Sequence, residues 1–107
     1  ADPSNADVWN NKAMTLLTMG NYEMALENYN KSLEINSVSG KALNGKANVL
    51  ISLERYDAAL ETILRAIEID PSDATAWNSK GLILERLGRT GEANAAFNKA
   101  KGLGYSI

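Results

Sequence analysis

Three asparagines, Asn10, Asn44 and Asn78, recur at intervals of 34 residues along this chain. A primary amide carries both hydrogen-bond donors and an acceptor, so it can hold the main chain of a peptide without selecting its side chains. Amides at equal intervals would form a ladder along one face of a repeated structure. The alternative is that each amide bonds to its own helix or to water, and the sequence leaves both interpretations open.

Residues suited to catalysis are scarce. The chain has no cysteine and no histidine, which removes thiol nucleophiles, imidazole bases and the usual zinc ligands. No pair of carboxylates recurs at a spacing typical of acid–base catalysis, and no glycine-rich phosphate loop is present. We therefore predict neither an enzyme nor a cofactor site.

The 34-residue interval extends to many apolar positions, which indicates a repeat array. A unit of this length cannot bury its own apolar face and needs its neighbours. The equivalent sets are Trp9, Leu43 and Trp77; Ala13, Ala47 and Gly81; Leu16, Leu50 and Leu84; Tyr22, Tyr56 and Thr90; Ala25, Ala59 and Ala93; and Tyr29, Ile63 and Phe97. At this spacing the aromatic residues are expected to be core rather than a ligand cage.

Each unit is predicted to form two helices, so the fold class is all-α. Gly20 and Gly88 break the helical pattern within units one and three, and Glu54 holds the matching position in unit two, where a left-handed turn would strain it. At the junctions, a serine or aspartate of the segments 36–39 and 70–73 can cap the following helix, and Ser4 followed by Asp7 resembles a capping box. The predicted helices are 6–19, 22–35, 40–53, 56–69, 74–87 and 90–102, in units 6–39, 40–73 and 74–107.

The pattern resembles the tetratricopeptide repeat family, whose 34-residue unit carries tryptophan, glycine, an alanine followed four residues later by an aromatic, and proline. The matches are Trp9 and Trp77, Gly81, Ala25 with Tyr29, Ala93 with Phe97, and Pro71. The resemblance spans nearly all of residues 1–107, taken as one domain. It implies a right-handed α-solenoid of three helix-turn-helix repeats, with first helices lining a concave groove and second helices forming the convex back.

A stripe at helical spacing marks the face of each first helix that would line this groove. The stripe mixes polar and apolar side chains, which suits peptide binding. The predicted groove residues are Asp7, Asn10, Met14, Leu17, Lys41, Asn44, Asn48, Ile51, Thr75, Asn78, Leu82, Glu85 and Arg86.

Charge gives a weak indication of the partner. The whole chain has 11 basic and 13 acidic residues, which argues against nucleic acid and membrane as partners. The predicted first helices carry five basic and two acidic residues, a net +3, whereas the second helices carry four basic and seven acidic residues, a net −3. A mildly positive groove would favour an acidic peptide segment.

The resemblance also allows one ligand to be discounted. Family members that clamp the C-terminal carboxylate of a chaperone use lysine, asparagine and further cations at positions that here hold Asn10, Met14, Gly45, Thr75 and Ser79. Because those side chains differ, a chaperone tail is not the predicted ligand.

The two ends of the array differ. Residues 1–5 match the segment that precedes unit three, so they are expected to be a cap or the remnant of an earlier unit. Asn94 and Lys101 replace residues that are apolar in units one and two, as expected for a terminal face. An uncovered first unit predicts weak homodimerisation through its N-terminal face.

We predict a cytoplasmic, non-catalytic protein-interaction module that binds a peptide segment of a partner in its concave groove. The alternative is a structural module that assembles end to end through unpaired repeat faces. The sequence leaves open the partner, the process served and the oligomeric state.

Overall fold

The computed structural model describes residues 4–105, which form an all-helical, right-handed solenoid. Within this range every predicted helix is present, and each bound differs from the prediction by at most one residue. The helices are α1 (Ala6–Thr18), α2 (Tyr22–Ile35), α3 (Gly40–Ser52), α4 (Tyr56–Ile69), α5 (Ala74–Arg86) and α6 (Thr90–Gly102).

The first helices form one layer and the second helices another. Successive first helices contact each other, α1 with α3 and α3 with α5, whereas no such contact joins α2 to α4 among the described residues. Because alternate helices contact each other on one side of the array and not on the other, the array curves toward the side where they touch. The first helices therefore line the concave face.

The turns within units depend on backbone that is left-handed at one residue. Gly20 and Gly88 have φ values of 83° and 77°, which glycine adopts without steric cost. Glu54 takes the same conformation with φ 58°, so the turn of unit two is left-handed at a residue other than glycine. This is the one non-glycine residue with positive φ in the part of the chain that the structure describes.

The junctions between units are capped by side chains. Ser39 Oγ accepts a hydrogen bond from the main-chain N–H of Ala42 at the start of α3. Asp73 Oδ1 accepts from the N–H groups of Thr75 and Ala76 at the start of α5. Each junction therefore supplies a capping serine or aspartate, which fixes where the new unit begins. At the start of α1 the cap is Asn5, whose Oδ1 accepts from the N–H of Asp7, rather than Ser4.

The core lies between the two layers. Its fully buried large side chains include Tyr29, Leu43, Ile63, Ile83 and Leu84. The tryptophans Trp9 and Trp77 are half-buried, as are Tyr56 and Phe97. Tyr22 does not belong to the core and is exposed, because it is the first residue of α2 and lies at a turn.

Lysines cover the outer faces of both tryptophans. The ammonium of Lys31 lies 5.0 Å and that of Lys12 5.8 Å from the ring centroid of Trp9. Lys80 and Lys99 lie 4.9 and 5.8 Å from the ring centroid of Trp77 in the equivalent arrangement. The recurring lysines 12 and 80 thus shield apolar surface through cation–π contacts.

Both ends of the array carry polar side chains. In unit one, Asn11 and Thr15 are exposed at positions where unit two has Gly45 and the fully buried Val49. In unit three, Asn94 and Lys101 are exposed. The first three residues of the predicted cap, and the last two of unit three, lie outside the described range. Within that range no helix is long and apolar enough to cross a membrane.

Candidate functional site

A groove of about 680 Å³ opens on the concave face between the three first helices. Its size is in the range of ligand-binding clefts. Most of the residues that line it come from α1, from α3 and from the junction that precedes α5, and α2, α4 and α5 contribute one residue each. They are Met14, Leu17, Thr18, Tyr29, Gly40, Lys41, Asn44, Gly45, Asn48, Ile69, Asp70, Asp73 and Thr75.

The groove brings together part of the predicted set and leaves part outside. Six of the predicted groove residues line it, namely Met14, Leu17, Lys41, Asn44, Asn48 and Thr75. The residues outside it are Asp7, Asn10, Ile51, Asn78, Leu82, Glu85 and Arg86. Most of these belong to α1 and α5, because the cavity is centred on α3 and does not extend along the outer helices.

The three asparagines do not form a uniform ladder. Asn10 is 2% exposed, so the prediction that it is accessible to a ligand is wrong. Its amide nitrogen contacts Met14 Sδ at 3.7 Å, a weak acceptor on the next turn of α1. Asn44 and Asn78 are half-buried. Tight packing of α1 against its neighbours therefore removes the first amide from the set.

Asn44 is bonded across a junction. Its Nδ2 donates to Asp73 Oδ2 at 2.9 Å, which links α3 to the residue that caps α5. Since a carboxylate only accepts, this bond fixes the orientation of the amide. The remaining atom, Asn44 Oδ1, is buried with no hydrogen-bond partner among the described residues.

The charges in the groove differ from those of the first helices as a whole. Lys41 is the cation among the lining residues, and the carboxylates of Asp70 and Asp73 oppose it. Asp70 Oδ1 accepts from the N–H and hydroxyl of Ser72, at 3.1 and 2.8 Å. The lining therefore carries a net negative charge, because the inter-unit segment supplies acids that a count over helices omits.

Sequence reasoning missed two residues that shape the groove floor. Tyr29 belongs to α2, a helix of the convex layer, yet it lines the groove beside Gly45 of α3. Its position in the aromatic repeat indicated only core. The signal that could have revealed it is Gly45, a helix-interior glycine where the third unit has Ser79.

Two family models assign this repeat. Each is described as tetratricopeptide repeat, and they match residues 6–37 and 44–104. This chain belongs to the tetratricopeptide repeat family. No curated protein matches the chain.

Solved tetratricopeptide structures share the fold. The first TPR of Spaghetti (RPAP3), bound to HSP90 peptide SRMEEVD, superposes with a TM-score of 0.92 at 19% identity, over 97% of this chain and 82% of that one. The Arabidopsis OM64 TPR domain gives 0.90 at 22%, over 92% and 82%. MamA gives 0.90 at 24%, over 95% of this chain and 60% of its own. At these identities the likeness shows a common fold.

Positions used by carboxylate-clamping tetratricopeptide proteins are occupied differently in this tetratricopeptide chain. Gly45 is covered by the ring of Tyr29, Ser79 is buried, and Thr75 is an uncharged residue on the rim. A terminal carboxylate would meet no cation at these positions. The groove is instead apolar at its centre, with carboxylates beside α5.

Proposed function

We propose that this protein is an interaction module whose concave groove binds an extended peptide segment of a partner protein. The observation that carries the proposal is the groove itself, an open cleft lined mainly by apolar and uncharged polar side chains, with Lys41, Asp70 and Asp73 as its charged residues. Met14 is 46% exposed there, although it lies on the concave face of a packed array. An exposed methionine in a cleft offers adaptable apolar contact to a ligand.

The charges of the lining favour a segment that is neutral where it crosses the groove. The preference for an acidic segment, drawn from the net charge of the first helices, has support from Lys41 only. Asp70 and Asp73 on the same cleft would repel a carboxylate. We therefore propose a largely apolar, uncharged core motif, with any acidic residue of the ligand next to Lys41.

End-to-end assembly has less support than groove binding. Association through the N-terminal face would require apolar surface there, but Asn11 and Thr15 are polar, and the hydroxyl of Thr15 already donates to Asn11 O at 3.2 Å. The opposite face carries Asn94 and Lys101. A small polar face gives little free energy to offset the entropy of association. Sedimentation over a concentration series measures this end-to-end association directly.

The groove can be tested with peptides selected on the wild-type protein from a random-sequence display library. A matched pair of variants then locates the binding surface. Met14→Glu adds a charge inside the groove, whereas Met24→Glu adds the same charge to a methionine that is 51% exposed outside it. We expect at least a tenfold loss of affinity for the first variant and none for the second. Equal binding by both variants would exclude the groove.

A further inference from the structure

Tyr29 crosses from the convex layer to the groove, and a glycine makes this possible. Its side chain starts on α2, and the hydroxyl end of the ring lies over Gly45 of α3. A Cβ atom at Gly45 would lie 2.6 Å from the hydroxyl oxygen, closer than side chains allow. Tyr29 is 1% exposed, yet it is among the residues that line the groove. The pair Tyr29 and Gly45 therefore brings a phenol to the groove floor.

The phenol has no hydrogen-bond partner among residues 4–105, and burial raises the pKa of Tyr29 above its usual range. The oxygen itself keeps contact with solvent in the groove, because the buried side-chain polar atoms without a partner in the described residues belong to Asn10, Asn28 and Asn44. The hydroxyl is not required for packing at this position, because unit three has Phe97 at the equivalent position and its ring packs against Gly81. The hydroxyl of Tyr29 therefore makes no hydrogen bond within the described part of the protein and is not required for packing of the ring.

A second unused polar atom lies at the same groove. Asn44 donates to Asp73, and its Oδ1 is left buried without a partner. Buried side-chain polar atoms are nearly always paired in folded proteins. Asn44 Oδ1 is enclosed, as are the equivalent atoms of Asn10 and Asn28, so a ligand in the groove can reach the hydroxyl of Tyr29 but not this oxygen.

The charges in the cleft indicate which chemical group of a ligand would accept a hydrogen bond from Tyr29. The phenol can donate a hydrogen bond, so its partner is an acceptor. Asp70 and Asp73 line the same cleft and would repel a carboxylate or phosphate. A neutral acceptor meets no such penalty, and in a peptide the neutral acceptor present at every residue is the main-chain carbonyl. Met14 and Ile69 provide apolar surface beside it.

We propose that the hydroxyl of Tyr29 donates a hydrogen bond to a main-chain carbonyl of the peptide in the groove, and that Gly45 is required because it admits the ring. This inference rests on the proposed function and assigns the residue that anchors the ligand. It also gives a role to a hydroxyl that has no partner within the described residues, on a ring that is otherwise buried like a core residue.

The test uses N-acetyl-leucine methylamide, which contains two peptide units and one apolar side chain, and follows its titration by NMR. We expect saturable shifts at Gly45 and Asn44 in the wild-type protein. Tyr29→Phe should weaken binding about fivefold, the scale of one neutral hydrogen bond. Tyr22→Phe removes a phenol outside the groove and should leave the affinity unchanged. The free Tyr29→Phe protein should melt at the same or a higher temperature than wild type.

The possible outcomes separate this inference from the proposed function. If Tyr29→Phe binds the probe as tightly as wild type, groove binding stands and the role of the hydroxyl is overturned. If the free variant melts at a lower temperature, the hydroxyl has a partner within the protein, which also overturns it. If the wild-type protein gives no saturable shift at the groove, both the inference and the proposed function fail.

Discussion

The side chain of Asn44 on α3 donates a hydrogen bond to the carboxylate of Asp73, 29 residues later, at the start of α5. The two carboxylate oxygens of Asp73 have different partners, since Oδ1 caps α5 and Oδ2 accepts from Asn44. One carboxylate therefore fixes both the beginning of a unit and its attachment to the preceding one. The equivalent pair at the first junction is Asn10 and Ser39, which no hydrogen bond joins.

Ser39→Asp should strengthen the first junction. We expect the new carboxylate to keep the cap on α3 and to accept from Asn10, as Asp73 does from Asn44. The gain should be about 1 kcal/mol in the free energy of unfolding, the net value of one hydrogen bond. Urea unfolding measures it. Repeating the change with Asn10→Ala is the control, and a gain that survives this second substitution would show that the junction bond does not form.

Glu54→Gly should stabilise unit two. A non-glycine residue in left-handed backbone lowers stability by about 1–2 kcal/mol. Glycine removes this strain, but its greater freedom in the unfolded chain offsets about 0.4–1 kcal/mol of the gain. Thermal unfolding should show a higher midpoint by a few degrees. Gly88→Ala is the matched control, because its φ is 77° and no atom lies within 4 Å of the added Cβ. That variant should melt lower, and the same sign for both changes would contradict the explanation.

Lys46 and Lys80 occupy equivalent positions, but replacing each with methionine should change the stability of the protein in opposite directions. Lys80 lies 4.9 Å from the ring centroid of Trp77, so Lys80→Met should lower stability by about 0.5–1 kcal/mol. In unit two the tryptophan is replaced by Leu43. Burial, and then the nearby Arg65, lower the pKa of Lys46, so its charged form is unfavourable in the folded protein. Lys46→Met should therefore raise the melting midpoint at pH 7.

The effect at Lys46 has a defined pH dependence. The penalty is present in full below the folded-state pKa of Lys46, and it disappears as pH rises through that lowered pKa toward the unfolded value. The difference in midpoint between wild type and Lys46→Met should therefore shrink in alkaline buffer. A difference that stays constant with pH would assign the gain to packing rather than to charge.

Tyr29 and Gly45 should behave as a coupled pair. Gly45→Ser places a Cβ against the ring, and overpacking of this kind costs about 1–3 kcal/mol. Tyr29→Ile leaves a void and should also destabilise the protein. The double variant has the residues found at the next junction, Ile63 and Ser79, so its loss should be smaller than the sum of the single losses. A double-mutant cycle by urea unfolding tests this, and additive losses would exclude direct contact.

The helices and their order follow from the sequence because the 34-residue period repeats the same local signals three times. Gly20 and Gly88 mark the turns, serine and aspartate residues of the two junctions supply the caps, and alanines at fixed positions allow close helix packing. These are local rules, each satisfied within a few residues. They predicted the bounds of the helices to within one residue.

The groove could be predicted only in part, because its lining depends on packing between units. A helical stripe included Met14 and Asn44, which line the cleft, but spacing on one helix does not show that Asn10 is enclosed by its neighbours. Nor does it show that Tyr29 passes from another helix onto Gly45. The carboxylates of Asp70 and Asp73 were missed because they belong to a connecting segment rather than to a helix face.

The contact of Tyr29 with Gly45 also constrains how such an array can change in length. Genes that encode tandem repeats lose or gain whole units when similar DNA segments recombine. Excision of residues 40–73 would bring Tyr29 against Ser79, whose side chain occupies the space that the ring needs. Duplication of the same segment would bring Ile63 against a second Gly45 and leave a gap. Because each half of this pair is encoded in a different unit, the units of this protein are not interchangeable, although their period is identical.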